Sequence, residues 1–434
     1  MTSTKYIRDN LDAMRKSLEK RDSKFPLEEL LALDEKVRKS EHEIQELRTE
    51  RNKGNEQVAE VKKSGKEADR KLIERLTEIK KEIEEIENAL PKDKERLDYL
   101  LWNVPNIAHE SVPKGKDDSE NPEIRKWGTV KKAALDGTHE EILNKLGLID
   151  IETASRVSGA RFFYLRGDLA LLEQSVLRFS MDLLAKKGFT PISPPFMLRK
   201  EVYGGIVPFA TFEDALYRVS SLREVAEGNT TEKMDEDLFL ISTTEHPMIA
   251  LHAEEIIPVA KLPIKYVGIS PAFRKELGAH GKDTKGIFRV HQFIQTEQVV
   301  ICKQEDSWKF FNEMIGNIEE IWKTLGIPHR IIEICSGDLS SRDAKSYDCE
   351  AWIPSQQKYR EVASCSNVTD WQSRRLGIKY EEGGEKKYAH TLNATGVPTP
   401  RALIPIIENN LNADGTVTVP DALVPYMGKR TIGR

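Results

Sequence analysis

The residues best placed to do chemistry stand in one stretch, GISPAFRKELGAHGKDTKGIFRVHQFIQTEQVVI, beginning at Gly268. Two apolar, β-prone runs flank a polar loop of Gly, His, Lys and Asp, the pattern of two antiparallel strands with a long connection. Arg274 closes the first run and Arg289 opens the second. Their guanidinium groups would converge at the mouth of the loop and offer bidentate donors to phosphate oxygens. Phe293 and Glu297 lie four residues apart on the second strand, so they share a face. An aromatic face and a carboxylate beside two arginines suit a zwitterionic or nucleotide ligand; the same residues equally describe a charged hairpin over a core phenylalanine. The chain has neither GxxxxGK[ST] nor GxGxxG, so neither common phosphate loop would hold a nucleotide. No Ser-His-Asp or Cys-His constellation offers itself for covalent catalysis.

Composition narrows the class. With 434 residues the chain is long enough for two domains, and its 39% hydrophobic and 32% charged content fits a soluble protein with an unusually polar part. No run of about 18 apolar residues is present, so no membrane span is expected. The opening MTSTKYIRDNLDAM has no apolar core and does not resemble a signal peptide. Four scattered cysteines, Cys302, Cys335, Cys349 and Cys365, lack CxxC spacing. Reduced thiols in a cytoplasmic enzyme are expected, not a disulfide framework or zinc ribbon. Net charge is −5 with a pI near 6.1, which excludes nonspecific polyanion binding over the whole surface but leaves room for a local basic patch.

The elements that must position these residues fall into two parts. From Leu30 the apolar positions Leu30, Leu33, Val37, Ile44, Leu47, Val58 and Val61 follow steps of three and four, with Ser40, Arg51 and Gly54 filling the remaining seam positions. After Ser64-Gly65 the repeat returns as Leu72, Leu76, Ile79, Ile83, Ile86, Leu90, Leu97 and Leu100. A 4-3 repeat keeps one narrow stripe facing a partner helix, so the two segments predict an antiparallel helical hairpin. Pro91 should kink or end the second helix near its base. Residues 48–66 carry Arg48, Arg51, Lys53, Lys62, Lys63 and Lys66 against Glu50, Glu56 and Glu60, a net +3 at the far end of the arm. That charge suits a phosphate backbone. Periodicity alone equally allows a coiled coil between two chains or a solvated helix pair. Beyond Asn103, VPNIAHESVPKGKDDSENPE marks a boundary, giving domains 1–104 and 105–434. The runs RFFYL, DLFLI, IKYVGI, FIQTEQVVI and HRIIEI then alternate with two amphipathic helices, predicting an α+β domain with a mainly antiparallel sheet.

Several blocks together resemble a class II aminoacyl-tRNA synthetase of the widespread seryl type. KKGFTPISPP, centred on Pro194, resembles motif 1, which in the family builds the dimer interface. FRKELGAHGKDTKGIFRVHQF resembles motif 2 in its full seryl form, and LNATGVPTPRALIPIIENN resembles motif 3. STTEHP, YREVASCSN and VPNIAHESVPKGKD resemble further seryl blocks, so the likeness covers essentially the whole chain.

The resemblance implies serine activation by ATP, transfer to tRNA(Ser), and a homodimer whose arm grips the long variable arm of the tRNA, with tRNA(Sec) a further substrate where it is present. It implies an ATP site of Arg274, Glu276, Arg289, Val290, Phe293, Glu361, Val362, Ser364 and Arg401. Arg274 would hold the α-phosphate, Arg289 and Arg401 the distal phosphates, and Phe293 with Arg401 the adenine. Glu276 would read the adenine amine or the terminal adenosine of the tRNA. Glu361 and Ser364 would hold Mg²⁺. Thr243, Glu245 and Glu297 would hold the serine amino group, and Asn393 and Thr395 its hydroxyl.

Read without the family, Glu245 and Glu361 are surface carboxylates, Thr395 a turn residue and Asn393 a cap. His280 and His291 read as loop and packing residues, and Cys365 is not expected to bind zinc. Two departures stand out. GVPTPR replaces the usual glycine-rich run before the motif 3 arginine, placing Pro398 and Pro400 beside Arg401. Residues 219–237 form a longer, more polar segment than the family leads one to expect, suggesting a flap or an insertion. Two other readings remain: a ligase that loads an amino acid onto a carrier protein, and an inactive homologue that only binds RNA or protein.

Overall fold

The computed structural model describes residues 2–65, 67, 69–130, 132, 135, 137–208, 213–220, 238–276 and 286–433. Lys66, His280 and residues 221–237 of the polar segment lie outside the described residues. The chain forms two compact units, Met1–Arg15 with Lys24–Val104, and Lys16–Ser23 with Pro105–Arg434.

The first unit is dominated by α1 (Leu27–Lys63) and α2 (Arg70–Asn103). Leu30, Val37, Ile44 and Leu47 of α1 and Ile79, Ile83, Leu97 and Leu100 of α2 are buried, as a 4-3 seam requires. Ion pairs fix the direction: Glu29 with Arg96, Lys36 with Asp93, Arg48 with Glu87 and Glu50 with Arg75, so α2 runs back along α1. Exposed pairs of this kind set register more than they stabilise. Gly54 lets the helices approach: a Cβ there would lie 2.8 Å from Leu76 Cδ2. The turn uses Gly65 at φ +73°, and Asp69 caps α2 by accepting from the Lys71 amide at 3.0 Å.

Of the two outcomes expected at Pro91, a kink or an end, the end does not occur, because α2 continues through it to Asn103. Proline removes one hydrogen bond and crowds the preceding turn. Here Lys36–Asp93 at 2.8 Å and Lys94–Glu41 at 2.6 Å tie the following turn to α1.

The second unit is built on eight strands: β1 (Glu123–Trp127), β2 (Thr190–Ile192), β3 (Ile264–Phe273), β4 (Gln292–Cys302), β5 (His329–Glu333), β6 (Lys345–Ile353), β7 (Lys358–Thr369) and β8 (His390–Pro398). Their order is β1-β5-β6-β7-β8-β4-β3-β2. Every neighbouring pair is antiparallel except β2 and β3 at one edge. RFFYL and DLFLI supply strands too, but short ones (Tyr164–Leu165 and Leu238–Leu240) in small side sheets.

One face of the main sheet is covered by α3 (Asp168–Lys186) and α5 (Ser307–Thr324), with the short α4 (Glu245–Ala250) between them in sequence. Val176, Phe311, Met314 and Trp322 from the two long helices form one core with Val362, Cys365 and Leu392 of the sheet. Burying each large side chain there contributes about 1.5–3 kcal/mol, so this face is the rigid platform. The other face carries Gln295 of β4, Glu361 and Ser364 of β7 and Thr395 of β8, whereas Thr296 and Gln298 of β4 bond Ser180 and Asn317 of the helices.

Two register slips set which residues lie on which face. Between β6 and β7, Cys349 pairs with Ala363 but Glu350 with Glu361, so Val362 is the extra residue of a bulge. Between β4 and β8, Thr296 pairs with Val397 but Glu297 with Thr395, leaving Gly396 as the extra one. Each slip moves the residues beyond it to the opposite face.

Candidate active site

On the polar face of the sheet lies an open cavity lined by charged and polar side chains. Arg274 enters it just after β3, and Arg289, Val290 and Phe293 enter around the start of β4. Glu361, Val362 and Ser364 come from β7, and Arg401 follows β8. With Glu276, these nine are the residues the resemblance places at ATP, and all nine line the one cavity. Thr395 lines it as well.

Its arginines are held in three different ways. Arg274 donates through Nε to the Ser242 carbonyl at 3.1 Å and lies 5.0 Å from the centre of the Phe293 ring. Burial, then repulsion from Arg401, lowers its pKa below the usual guanidinium value. Arg289 Nη1 meets Glu276 at 3.2 Å. Arg401 Nη1 meets Glu361 at 3.0 Å, and its guanidinium lies 5.0 Å from the Phe288 ring. Arg401 in turn holds the Glu361 carboxyl below its ordinary range. Opposite Ser364 on β6 stands Asp348, whose carboxyl is pushed well up by burial and then by Glu361. An anion entering here meets three guanidinium groups, and a hard cation meets carboxylate and hydroxyl oxygens.

Next to this cavity the residues expected at an amino group form a hydrogen-bonded set. Gln295 Nε2 donates to Thr243 Oγ1 at 2.6 Å and to Glu297 Oε2 at 2.9 Å. Thr395, opposite Glu297, hydrogen-bonds the same carboxyl. Burial, then the charge of Glu245, pushes Glu297 well above the carboxylate range. Glu245 differs. Burial alone would raise it, but Arg342, with His246 and Gln372, holds it low, the guanidinium through bonds of 2.6 and 3.0 Å to its two oxygens. Gln372 adds a third bond at 2.8 Å. Asn393 is buried, and its Nδ2 makes no hydrogen bond among the described residues. It is therefore a ready donor for an arriving hydroxyl.

Other candidate residues are placed elsewhere. Cys365 Sγ donates to the Phe311 carbonyl at 3.7 Å on the helix-covered face. His291 Nδ1 donates to the Arg274 carbonyl at 2.9 Å and so braces the hairpin. At the far end of the arm Arg48 is paired with Glu87 at 2.7 Å and Arg51 is half-buried, whereas Lys53, Lys62 and Lys63 are exposed.

Known proteins resemble this chain over its whole length. Residues 224–410 match the tRNA synthetase class II core domain (G, H, P, S and T), and residues 1–108 match the seryl-tRNA synthetase N-terminal domain. A serine–tRNA ligase from Thermococcus sibiricus is 45% identical over 100% of this chain and 97% of its own length. The chain belongs to the seryl-tRNA synthetase family. Its fold agrees with that of the Pyrococcus horikoshii seryl-tRNA synthetase crystallised with ATP, at a TM-score of 0.87 and 42% identity, covering 100% of this chain and 99% of that one. The cytoplasmic serine–tRNA ligase of Naegleria fowleri, solved with AMP, gives 0.82 and 35% over 98% and 95% of the two chains.

Within this seryl-tRNA synthetase core, three placements were not foreseen from sequence. Gln295 links Thr243 to Glu297, and period-two alternation between Phe293 and Glu297 could have revealed it. Thr399 accepts from the Ile294 amide at 3.3 Å and donates to Glu173 at 2.8 Å, so hydrogen bonds brace the run before Arg401 that lacks the usual glycines. Arg342 lies outside every recognised block, and no spacing signalled it.

Proposed function

We infer that this chain is a serine–tRNA ligase, which joins L-serine to ATP as seryl-adenylate and then passes the seryl group to the 3′ end of tRNA(Ser). The observation that carries this reading is the convergence of nine nucleotide-site residues on one cavity beside the Thr243–Gln295–Glu297–Thr395 set. Adenylation passes through a crowded pentavalent phosphorus, so rate comes from positioning and charge stabilisation. Arg274 takes the α-phosphate. Arg289 and Arg401 exchange their carboxylate partners for the distal phosphates, and the adenine lies against Phe293. The serine ammonium takes its place on the Glu297 carboxylate, while Asn393 and Thr395 meet the hydroxyl. The serine carboxylate then attacks the α-phosphate, and pyrophosphate leaves. No side-chain nucleophile is needed.

Mg²⁺ fits the oxygen donors present. Glu361 and Ser364 would hold it, since this ion favours one or two protein oxygens together with substrate phosphates. When bound, it neutralises phosphate charge. The arm recognises the long variable arm of the tRNA through Lys53, Lys62, Lys63 and, once released from Glu87, Arg48. Two chains associate through the motif 1 segment around Pro194, and the enzyme works in the cytoplasm.

Charging of tRNA(Ser) transcripts tests this reading. The intact transcript accepts serine, and one lacking its variable arm is charged at least about tenfold less efficiently, the cost of several phosphate contacts. Equal charging of both would remove the arm from recognition. A carrier-protein ligase would charge neither.

A further inference from the structure

The serine-site residues do not explain why one of two buried carboxylates is fully engaged before any substrate arrives. Both oxygens of Glu245 accept from the Arg342 guanidinium, at 2.6 and 3.0 Å, and Gln372 donates to one of them at 2.8 Å. Glu245 is buried and Arg342 half-buried, with side-chain exposures of 2% and 15%. Glu297, in contrast, accepts hydrogen bonds from neutral donors among the described residues, Gln295 and Thr395. A substrate ammonium carries one positive charge, and a buried pocket that binds it well carries one uncompensated negative charge.

We propose that Arg342 is a positioning residue of the amino-group pocket: by holding both oxygens of Glu245, it leaves Glu297 as the single carboxylate open to the amine of the substrate. This rests on the serine–tRNA ligase reading above. Without Arg342, Glu245 loses the partner of both its oxygens and stands as a second uncompensated carboxylate beside Glu297, so the amine no longer meets a single acceptor.

Arg342 is itself fixed from an unexpected quarter. The loop that carries it is clamped by Arg21, whose Nη1 donates to the Leu339 and Ser340 carbonyls at 3.0 Å each and whose Nη2 donates to the Asp343 carbonyl at 2.6 Å. Asn106 Nδ2 donates to the Arg342 carbonyl at 2.9 Å. Arg21 belongs to the Lys16–Ser23 segment, which is grouped with the catalytic unit although it precedes the arm in sequence. Its three carbonyl contacts account for that grouping.

Serine-dependent ATP–pyrophosphate exchange of Arg342→Gln, Arg342→Lys, Arg21→Met, Glu245→Gln and the Glu245→Gln/Arg342→Gln double variant tests the proposal. For Arg342→Gln the serine KM rises at least about tenfold while the ATP KM stays within about twofold, because breaking a buried ion pair is costly only where its partner sits. Arg342→Lys, which keeps the charge but only part of the bidentate geometry, restores part of the loss, and Arg21→Met shifts the serine KM in the same direction by less. The double variant loses no more than the worse single one, as members of one unit do. Should Arg342→Gln fail to fold, Arg342→Lys and Arg21→Met carry the same comparison. An unchanged serine KM, a parallel rise in both KM values, or additive losses overturns the proposal. No serine-dependent exchange by the unaltered enzyme overturns the functional reading instead.

Discussion

Glu361 and Ser364 stand three residues apart on β7 and yet both open into the same cavity. On a regular strand an odd separation puts two side chains on opposite faces. The bulge at Val362 removes that conflict, turning Val362 into the helix-packed core and bringing Glu361 onto the face of Ser364.

Metal dependence follows from that geometry. Removing divalent cations with EDTA should abolish pyrophosphate exchange, and added Mg²⁺ should restore it. Glu361→Gln should lower exchange at least about a hundredfold and raise the Mg²⁺ concentration needed for half-maximal rate. A variant with an unchanged Mg²⁺ titration would remove Glu361 from the metal site.

Glu297 gives a pH dependence with a definite sign. Burial and Glu245 raise its folded pKa well above the ordinary 4.5. The folded chain therefore binds this proton more tightly than the unfolded chain. Its stabilising contribution is complete below the unfolded value and is lost as pH rises through the folded one, by about 1.4 kcal/mol per pH unit between the two. Ligand-free Glu297→Gln should melt above the unaltered enzyme at about pH 8, with the gap closing toward about pH 4. An offset in Tm that does not change with pH contradicts the assignment.

How far the sequence reached depends on the kind of feature. The 4-3 spacing from Leu30 to Leu100 foretold the hairpin, because a narrow apolar stripe has only a partner helix to face. Gly54 was legible as a seam position but not as the point where Leu76 packs, which depends on the pairing of the two helices. Pro91 left a kink or an end equally open, and only the folded hairpin shows that the helix does not end there. Around the site, the β3–β4 hairpin was legible from its apolar runs, whereas the bulges at Val362 and Gly396 depend on inter-strand register and left no local signal. Arg342 was invisible for the same reason, since only folding brings it to Glu245, 97 positions away.

Charge at the far end of the arm should affect tRNA and nothing else. Replacing Lys53, Lys62 and Lys63 together by Gln should lower kcat/KM for tRNA charging at least about tenfold and flatten its salt dependence by about two to three in log-log slope. Exchange without tRNA should be unchanged. Arg48→Gln alone should do less, because Glu87 already holds that side chain. Loss of exchange in the triple variant would contradict the separation of roles.

The hydroxyl pocket makes a prediction about selectivity. Asn393 offers a buried donor with no partner of its own among the described residues, which alanine would leave unmet. Asn393→Ala should therefore reduce the preference for serine over alanine by about a hundredfold, mainly by weakening serine. An unchanged ratio would show that the hydroxyl is read elsewhere.

The most direct measurement is ATP–pyrophosphate exchange by the unaltered enzyme with each of the common amino acids supplied singly. Serine alone should drive strong exchange, with alanine, glycine and threonine at least about a hundredfold weaker in kcat/KM. No exchange with serine, or stronger exchange with another amino acid, would contradict the account.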